Sequence, residues 1–395
     1  MSELNFSIYG NQPSILETSF LDQFRALHRV RVNVDRMNWS DAWPNLLNYA
    51  IHGGGPHISQ IGAIWTSSLV AMNVLRPITP REIVDLGGED VFYPCAWQNA
   101  LAASGPGYWA VPFTTFAYVI LYRRDLLQKA GVDEQQAFVS AEAMCQTLER
   151  LKAAGIDSPL ILPSGNPYRA RVHCAASWVW GAGGEFVKDK EVLFDRPEAL
   201  RGLKAFFDLY RYLSPADHGV SYAECGRRVT RGQAAVTITG IHLWTSDPQE
   251  LEQLGTAPVP GIPWVGGSNL VIWNETKADM GLNRTAFQLI MHLTSRAAQA
   301  QYAQAHSGHA PARADALQDV PYAIPSLIQT VDTSVRTGRA YRPALIWVRM
   351  LNDLSRSFDR VTMEILSHPE QDLTDVLTRP IEHLAGRFRL MLAGT

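Results

Sequence analysis

Apolar and polar positions change period repeatedly over the first 80 residues. Residues 4–9 (LNFSIY) alternate with a period of two, which predicts a short strand. From Ser14 the apolar residues Ile15, Phe20, Phe24 and Leu27 recur at helical spacing. Residues 30–34 (VRVNV) alternate again. Ser40 stands where an N-cap belongs, ahead of Leu46, Leu47, Ala50 and Ile51, and the run Gly53-Gly54-Gly55-Pro56 stops that helix. Residues 58–64 predict a third strand and residues 65–75 a third helix. The order strand–helix, three times over, predicts an α/β fold with a parallel sheet covered by helices on both faces. Ligands of such sheets sit beyond the carboxyl ends of the strands. Those ends are the loops at 10–13, 37–39 and 63–65.

Further along, residues 109–116 lead into a predicted strand at 117–122, followed by a charged helical run at 123–131. Helical spacing governs 141–154, 170–180, 197–213 and 285–305, and again from Val331 to the end. Residues 234–239 (AAVTIT) and 266–272 (GGSNLVI) predict strands. No repeat and no Pro/Ser-rich linker divides the chain, which fits two lobes that share it non-consecutively.

Composition narrows the function classes. The 395 residues carry 46% apolar and 18% charged residues, which excludes a disordered or collagen-like chain. Lys and Arg number 35 against 38 Asp and Glu, a net charge of −3, so nothing favours nucleic acid as a partner. Lys is scarce and Arg abundant, which reads as compositional bias of the source. No apolar run reaches the length of a membrane span. Four scattered cysteines, Cys95, Cys145, Cys174 and Cys225, form no CxxC pair; they are either buried thiols or disulfide partners. The opening residues MSELNF show neither a basic nor an apolar leader segment, leaving a cytoplasmic protein or a trimmed mature form open.

Motifs for catalysis and cofactors are missing. His52-Gly53-Gly54-Gly55 resembles a lipase oxyanion motif, but no G-x-S-x-G accompanies it, and the glycines read as a helix stop. There is no P-loop, no G-x-G-x-x-G and no H-E-x-x-H. His306 and His309 fall where a helix breaks at Gly308 and read as solvated loop residues. No cofactor or metal is therefore expected. The outstanding feature is aromatic, with 11 Trp, 13 Tyr and 14 Phe. Trp39, Trp65, Trp178, Trp244 and Trp347 fall at the ends of predicted elements rather than inside apolar helix faces. A flat ring packs well on the C–H face of a sugar. Trp43, Trp97, Trp109, Trp264 and Trp273 read as core, and Trp180 stays undecided.

The order of several weak motifs resembles one family: the extracellular solute-binding proteins of sugar ABC importers, in the group that includes maltose-binding protein. The stretch 118–131 (YVILYRRDLLQKAG), Trp178 with Gly183-Gly184, 206–209 (FFDL) with 231–240 (RGQAAVTITG) and 266–270 (GGSNL) are similar to that family's motifs in order and spacing. So are 287–299, ending TSRAAQ, and 308–313 (GHAPAR). Two departures stand out. Pro56-His57-Ile58 replaces the family's Pro-Asp-Val, and the first loop offers Asn11 and Gln12 where an acidic residue is common. The resemblance implies a type II periplasmic-binding-protein fold with a mixed sheet in each lobe. Lobe 1 would comprise 1–113 and 258–308, lobe 2 would comprise 114–257 and 309–395, and a hinge would join them. Carried over position by position, it implies a ligand cleft lined by Asn11, Gln12, Trp39, Trp65, Thr115, Phe116, Trp178, Trp244, Ser268, Asn269 and Trp347. It further implies a monomeric, extracytoplasmic binding protein that takes a carbohydrate without chemistry and hands it to a membrane permease. A cytoplasmic sugar-sensing module of the same fold and a glycan-acting enzyme are the alternatives.

Overall fold

The computed structural model describes residues 3–10, 16–103, 107–165, 170–240, 247–275, 279–305, 309–321 and 324–393. Eleven strands occur among them: β1 (Glu3–Tyr9), β2 (Arg31–Met37), β3 (Ile58–Gly62), β4 (Val111–Ala117), β5 (Val119–Arg123), β6 (Val187–Lys188), β7 (Glu191–Val192), β8 (Val236–Thr239), β9 (Leu254–Pro258), β10 (Val265–Ile272) and β11 (Ala310–Pro311). The chain divides into two compact units. Unit 1 holds residues 1–116, 265–321 and 340–345; unit 2 holds 117–264, 322–339 and 346–395.

Unit 1 is built on a six-stranded sheet in the order β11-β4-β10-β3-β1-β2. β1 runs parallel to β2 and to β3, as the alternating pattern predicts. β10 is antiparallel to β3, with Ser268 opposite Gly62 and Ile272 opposite Ile58. The sheet is therefore mixed rather than purely parallel, because a strand about 150 residues later in the chain enters between β3 and β4. Local periodicity does not reveal such a pairing. Leu4, Phe6 and Ile8 of β1 are buried, as are Ile58 and Ile61 of β3, so the sheet carries the core of this unit.

Close backbone approach admits β10. Gly267 has φ +146°, and a Cβ there would collide with the Thr114 carbonyl oxygen of β4. Only glycine avoids both the disfavoured dihedral and the clash. Polar side chains reinforce the seam. Gln60 donates from Nε2 to Ser268 Oγ (2.8 Å), and Ser268 Oγ is bonded to Thr114 Oγ1 (2.8 Å). At the His57 departure, the imidazole Nδ1 accepts from the Asn5 amide (2.8 Å) and joins the start of β3 to β1.

Several element bounds differ from expectation. The helix expected after an N-cap at Ser40 starts two residues earlier, as Trp39–His52, with Asn38 in the N-cap position and Ser40 in its first turn. The third helix is a single 3-10 turn, Ala63–Trp65, followed by Thr66–Ala71. The run at 285–305 is two helices, Met280–Leu293 and Arg296–Ala305. Thr294 Oγ1 donates back to the Ile290 carbonyl, and Ser295 Oγ donates to the His292 carbonyl while accepting from the Ala298 amide, which closes one helix and opens the next. The expected strand at 117–122 is preceded by a second one, β4, which belongs to the other sheet.

Unit 2 contains an antiparallel sheet in the order β8-β5-β9, the small β6–β7 hairpin and a helical core. The helix Ala170–Gly181 packs on Pro197–Asp208 at Gly202, where a Cβ would stand 2.5 Å from the Trp178 carbonyl oxygen. Arg171 is wholly buried in this core. Its guanidinium donates to Tyr210 Oη (3.0 Å) and the Pro163 carbonyl (3.2 Å) and pairs with Asp359 of the helix Trp347–Ser367. A buried cation is tolerated because every direction of the fork meets an acceptor. Two residues on, the His173 ring stacks on Trp264 at 4.2 Å and 14°. Protein packed around that imidazole pulls its pKa down to about 3.

Two outcomes follow from this packing. Gly267→Ala should lower unfolding free energy by about 3 kcal/mol or more, read as a lower urea midpoint, because strain and a backbone clash act together. The pH dependence of stability should carry a signature of His173. An unfolded histidine titrates near 6.5, so below that pH the unfolded chain binds a proton that the folded chain refuses until about pH 3. Between pH 7 and pH 5 this group should therefore remove roughly 2 kcal/mol of stability. His173→Phe should flatten that limb, and an unchanged limb would exclude the assignment.

Candidate functional site

The three parallel strands of unit 1 end side by side, and each delivers an aromatic residue. Tyr9 is the last residue of β1, Trp39 opens the helix after β2, and Trp65 closes the 3-10 turn after β3. Trp39 stacks on Trp65 with centroids 5.2 Å apart and planes 23° apart. Tyr9 meets Trp39 edge-on at 4.5 Å and Trp65 at 6.2 Å. Trp43, one helical turn after Trp39, leans on Trp65 at 5.6 Å. Gly62 leaves room for the group, since a Cβ there would stand 3.1 Å from Trp39 Cη2 and 3.3 Å from Trp65. Trp65 is almost wholly covered, whereas Trp39 remains 56% exposed. An exposed indole backed by a second ring is a ready stacking surface.

The Tyr9 hydroxyl adds a polar element. It lies buried beside the Gly62 amide and donates to no acceptor among the described residues. Burial raises its pKa well above the usual tyrosine range, so the hydroxyl keeps its proton. A buried hydroxyl without an acceptor costs about 1–3 kcal/mol, a deficit that a ligand oxygen would remove.

The other expected site residues distribute differently. Ser268, Asn269 and Thr115 are buried in unit 1 and use their polar atoms internally. Ser268 bonds Gln60 and Thr114; Asn269 Nδ2 donates to Thr66 Oγ1 (3.2 Å) and the Asn99 carbonyl (2.9 Å); Thr115 Oγ1 donates to the carbonyls of Ala310 and Pro311. Phe116 is half-buried and meets His309 edge-on at 6.0 Å. In unit 2, Trp178 is buried against Phe206 (5.3 Å) and Trp347 against Phe186 (6.0 Å), both as interior rings. Asn11, Gln12, Trp244 and His306 lie outside the described residues.

Sequence reasoning missed Tyr9 and Trp43. Both signals were present: Tyr9 ends the first strand of the parallel set, and Trp43 is four residues after Trp39 on one helix face. In unit 2 Trp264 is a core ring, as expected, on which Tyr118 leans at 5.9 Å beside the His173 stack. Trp180 there donates to Glu185 (3.2 Å), and the Arg339 guanidinium lies 5.0 Å above its ring.

The remaining chemistry is quiet. None of the four cysteines forms a disulfide. Burial pushes the thiols of Cys95 and Cys225 up to about 12, and that of Cys174 higher still. Among the described residues no three His, Cys, Asp or Glu side chains cluster as metal ligands, and no helix is long and apolar enough to cross a membrane.

Comparisons place this geometry. No curated protein matches the chain by sequence. Among solved structures it is similar to the sugar-binding protein MalE of Xanthomonas citri, at 19% identity and TM-score 0.81, covering 100% of this chain and 98% of that one. Maltose-bound MalE3 of T. maritima is 18% identical, with TM-score 0.78 over 99% of this chain and 100% of that one. An ABC transporter solute-binding protein of Thermotoga lettingae bound to α-D-tagatose is also 18% identical, with TM-score 0.75 over the same shares. The fold is that of the type II periplasmic binding proteins. The family model for the bacterial extracellular solute-binding proteins matches residues 19–330, and the chain belongs to that family.

Proposed function

We propose that the chain binds an uncharged carbohydrate or polyol against the Tyr9–Trp39–Trp65 cluster of unit 1 and delivers it, chemically unchanged, to the permease of an ABC importer. The observation that carries this reading is the juxtaposition at the strand ends. A half-exposed indole backed by a second one lies beside a buried hydroxyl that meets no acceptor among the described residues. Stacking area and one directed hydrogen bond are what a sugar ring, apolar on its C–H face and hydroxylated at its rim, requires. The relatives bound to maltose and tagatose support the ligand class. Within unit 1, the buried Thr115, Ser268 and Asn269 would support the cluster through the β10 seam. The family resemblance adds Asn11, Gln12, Phe116, Trp178, Trp244 and Trp347 to the proposed ligand-binding set.

Ligand binding acts here by favouring one conformational state, which is the role of the hinge closure that the family resemblance implies. The protein would work outside the cytoplasm, periplasmic or at the cell surface, as a monomer.

Calorimetric titration with a panel of mono-, di- and trisaccharides and polyols tests the reading, and each recovered sugar should be intact by chromatography. Turnover of any member would replace binding by catalysis. Trp39→Ala should weaken binding of the best ligand by about 1–3 kcal/mol, roughly 5- to 150-fold, without lowering the urea midpoint much, because the ring is half-exposed. Tyr9→Phe should cost about 1 kcal/mol in affinity while leaving stability unchanged or improved, since it removes a buried hydroxyl that has no acceptor. Unchanged affinity in both variants would move the site elsewhere.

A further inference from the structure

Two helices at the end of unit 2 share an exposed face that the sugar site does not use. On the helix Trp347–Ser367, the residues Met350, Leu354, Phe358, Val361 and Ile365 point into the core. The opposite face carries Arg349, Asp353, Arg356, Arg360 and Glu364, spaced i, i+4, i+7, i+11 and i+15, so that they form one stripe. From the helix Arg379–Ala393, Arg387 reaches the same stripe. Three guanidiniums share the single Asp353 carboxylate, none closer than 3.8 Å: Arg349 at 3.8 Å, Arg387 at 3.9 Å and Arg356 at 4.0 Å. The Asp353 Oδ2 atom accepts no hydrogen bond among the described residues. The pairs are loose: the Asp353 carboxylate is largely covered, whereas the guanidiniums reach into solvent, Arg356 at 80% exposed. Four arginines against Asp353 and Glu364 leave two net positive charges on this face of a chain whose total is −3. Exposed apolar side chains stand among them. Met363 is one turn from Arg360, and Leu390 one turn from Arg387.

We propose that this face docks reversibly on a bilayer surface rich in anionic phospholipid. Guanidinium groups take phosphate oxygens in a bidentate fork, and their weak hold on Asp353 leaves donors to spare. The charges from Arg349 to Arg360 span about 16 Å of helix, and a headgroup layer offers phosphates at any spacing along that length, whereas a protein partner must match it. Met363 and Leu390 can enter the interfacial layer between the charges. The family is extracellular, so the chain meets membranes from their outer side. Held there, a solute carrier would search for its permease in two dimensions.

Sedimentation of the full chain with vesicles tests this. The chain should pellet with vesicles of mixed phosphatidylglycerol and phosphatidylcholine at low salt, should not pellet with phosphatidylcholine alone, and should be released at about 0.3 M salt. The doubly substituted Arg356→Gln/Arg360→Gln chain should bind about 25-fold more weakly, roughly fivefold for each arginine. The control pair Arg31→Gln/Arg81→Gln, on the surface of unit 1, should bind as the parent does. Sugar affinity should not change in either variant, so loss of this docking is distinguishable from failure of the ligand site. Equal pelleting with neutral vesicles, or unaltered binding of the Arg356→Gln/Arg360→Gln chain, would overturn the proposal. So would no binding to anionic vesicles, which would leave the face to an acidic protein surface.

Discussion

Unit 1 depends on one long-range pairing, the entry of β10 between β3 and β4. Without it the parallel set β3-β1-β2 would end in an open edge at β3, and β4 and β11 would have no sheet to join. The pairing demands a strand without a side chain at Gly267, where β10 approaches the Thr114 carbonyl. It also demands polar partners, because a serine and an asparagine are carried into the interior. Gln60, Thr114, Thr66 and the Asn99 carbonyl meet those needs, so the buried polar atoms of Ser268 and Asn269 fix register rather than cost stability. A one-residue slip would leave these groups facing apolar neighbours.

The aromatic cluster is a consequence of that register. β3 held between β1 and β10 puts Gly62 at the sheet end, beside Tyr9 and the first turn of the helix after β2. Gly62 leaves the space into which both indoles fold. The contacts divide the labour between the rings. Trp65, nearly wholly covered, belongs to the core and backs Trp39, which keeps one face in solvent. The same geometry buries the Tyr9 hydroxyl next to an amide that can only donate, so its own proton meets no acceptor among the described residues. An exposed ring and an unspent donor at one sheet end are a structural reason to place ligand recognition there.

Much of this was legible in the sequence. The first three strands are visible from alternation, and the rule that ligands lie beyond carboxyl ends pointed to the loops that deliver Trp39 and Trp65. What was not legible has a common cause: it depends on residues distant in the chain. The antiparallel entry of β10, the division of 285–305 by Thr294 and Ser295, and the separation of β4 from β5 are settled by tertiary partners. Trp178 and Trp347 illustrate the same limit. Each stands at a helix end, as the sequence indicates, but the partners that bury them, Phe206 and Phe186, lie 28 and 161 residues away in the chain. Trp43 was read as core, although its helical spacing from Trp39 already placed both on one face.

Unit 2 meets the cost of buried charge by pairing, as unit 1 does where Glu82 takes both terminal nitrogens of the buried Arg76. In unit 2 the buried Arg171 is engaged by Tyr210, Pro163 and Asp359, which ties the helix Ala170–Gly181 to the helix Trp347–Ser367. That tie orients the latter helix. With Asp359 turned toward Arg171 and the apolar stripe inward, the remaining face has to look outward, and it is the face that carries Arg349, Arg356 and Arg360. One buried ion pair on the inner side thereby sets which charges the outer side presents. The same helix engages Arg171 fully on its inner side while leaving three guanidiniums to share the Asp353 carboxylate on its outer side, an imbalance that packing alone does not require.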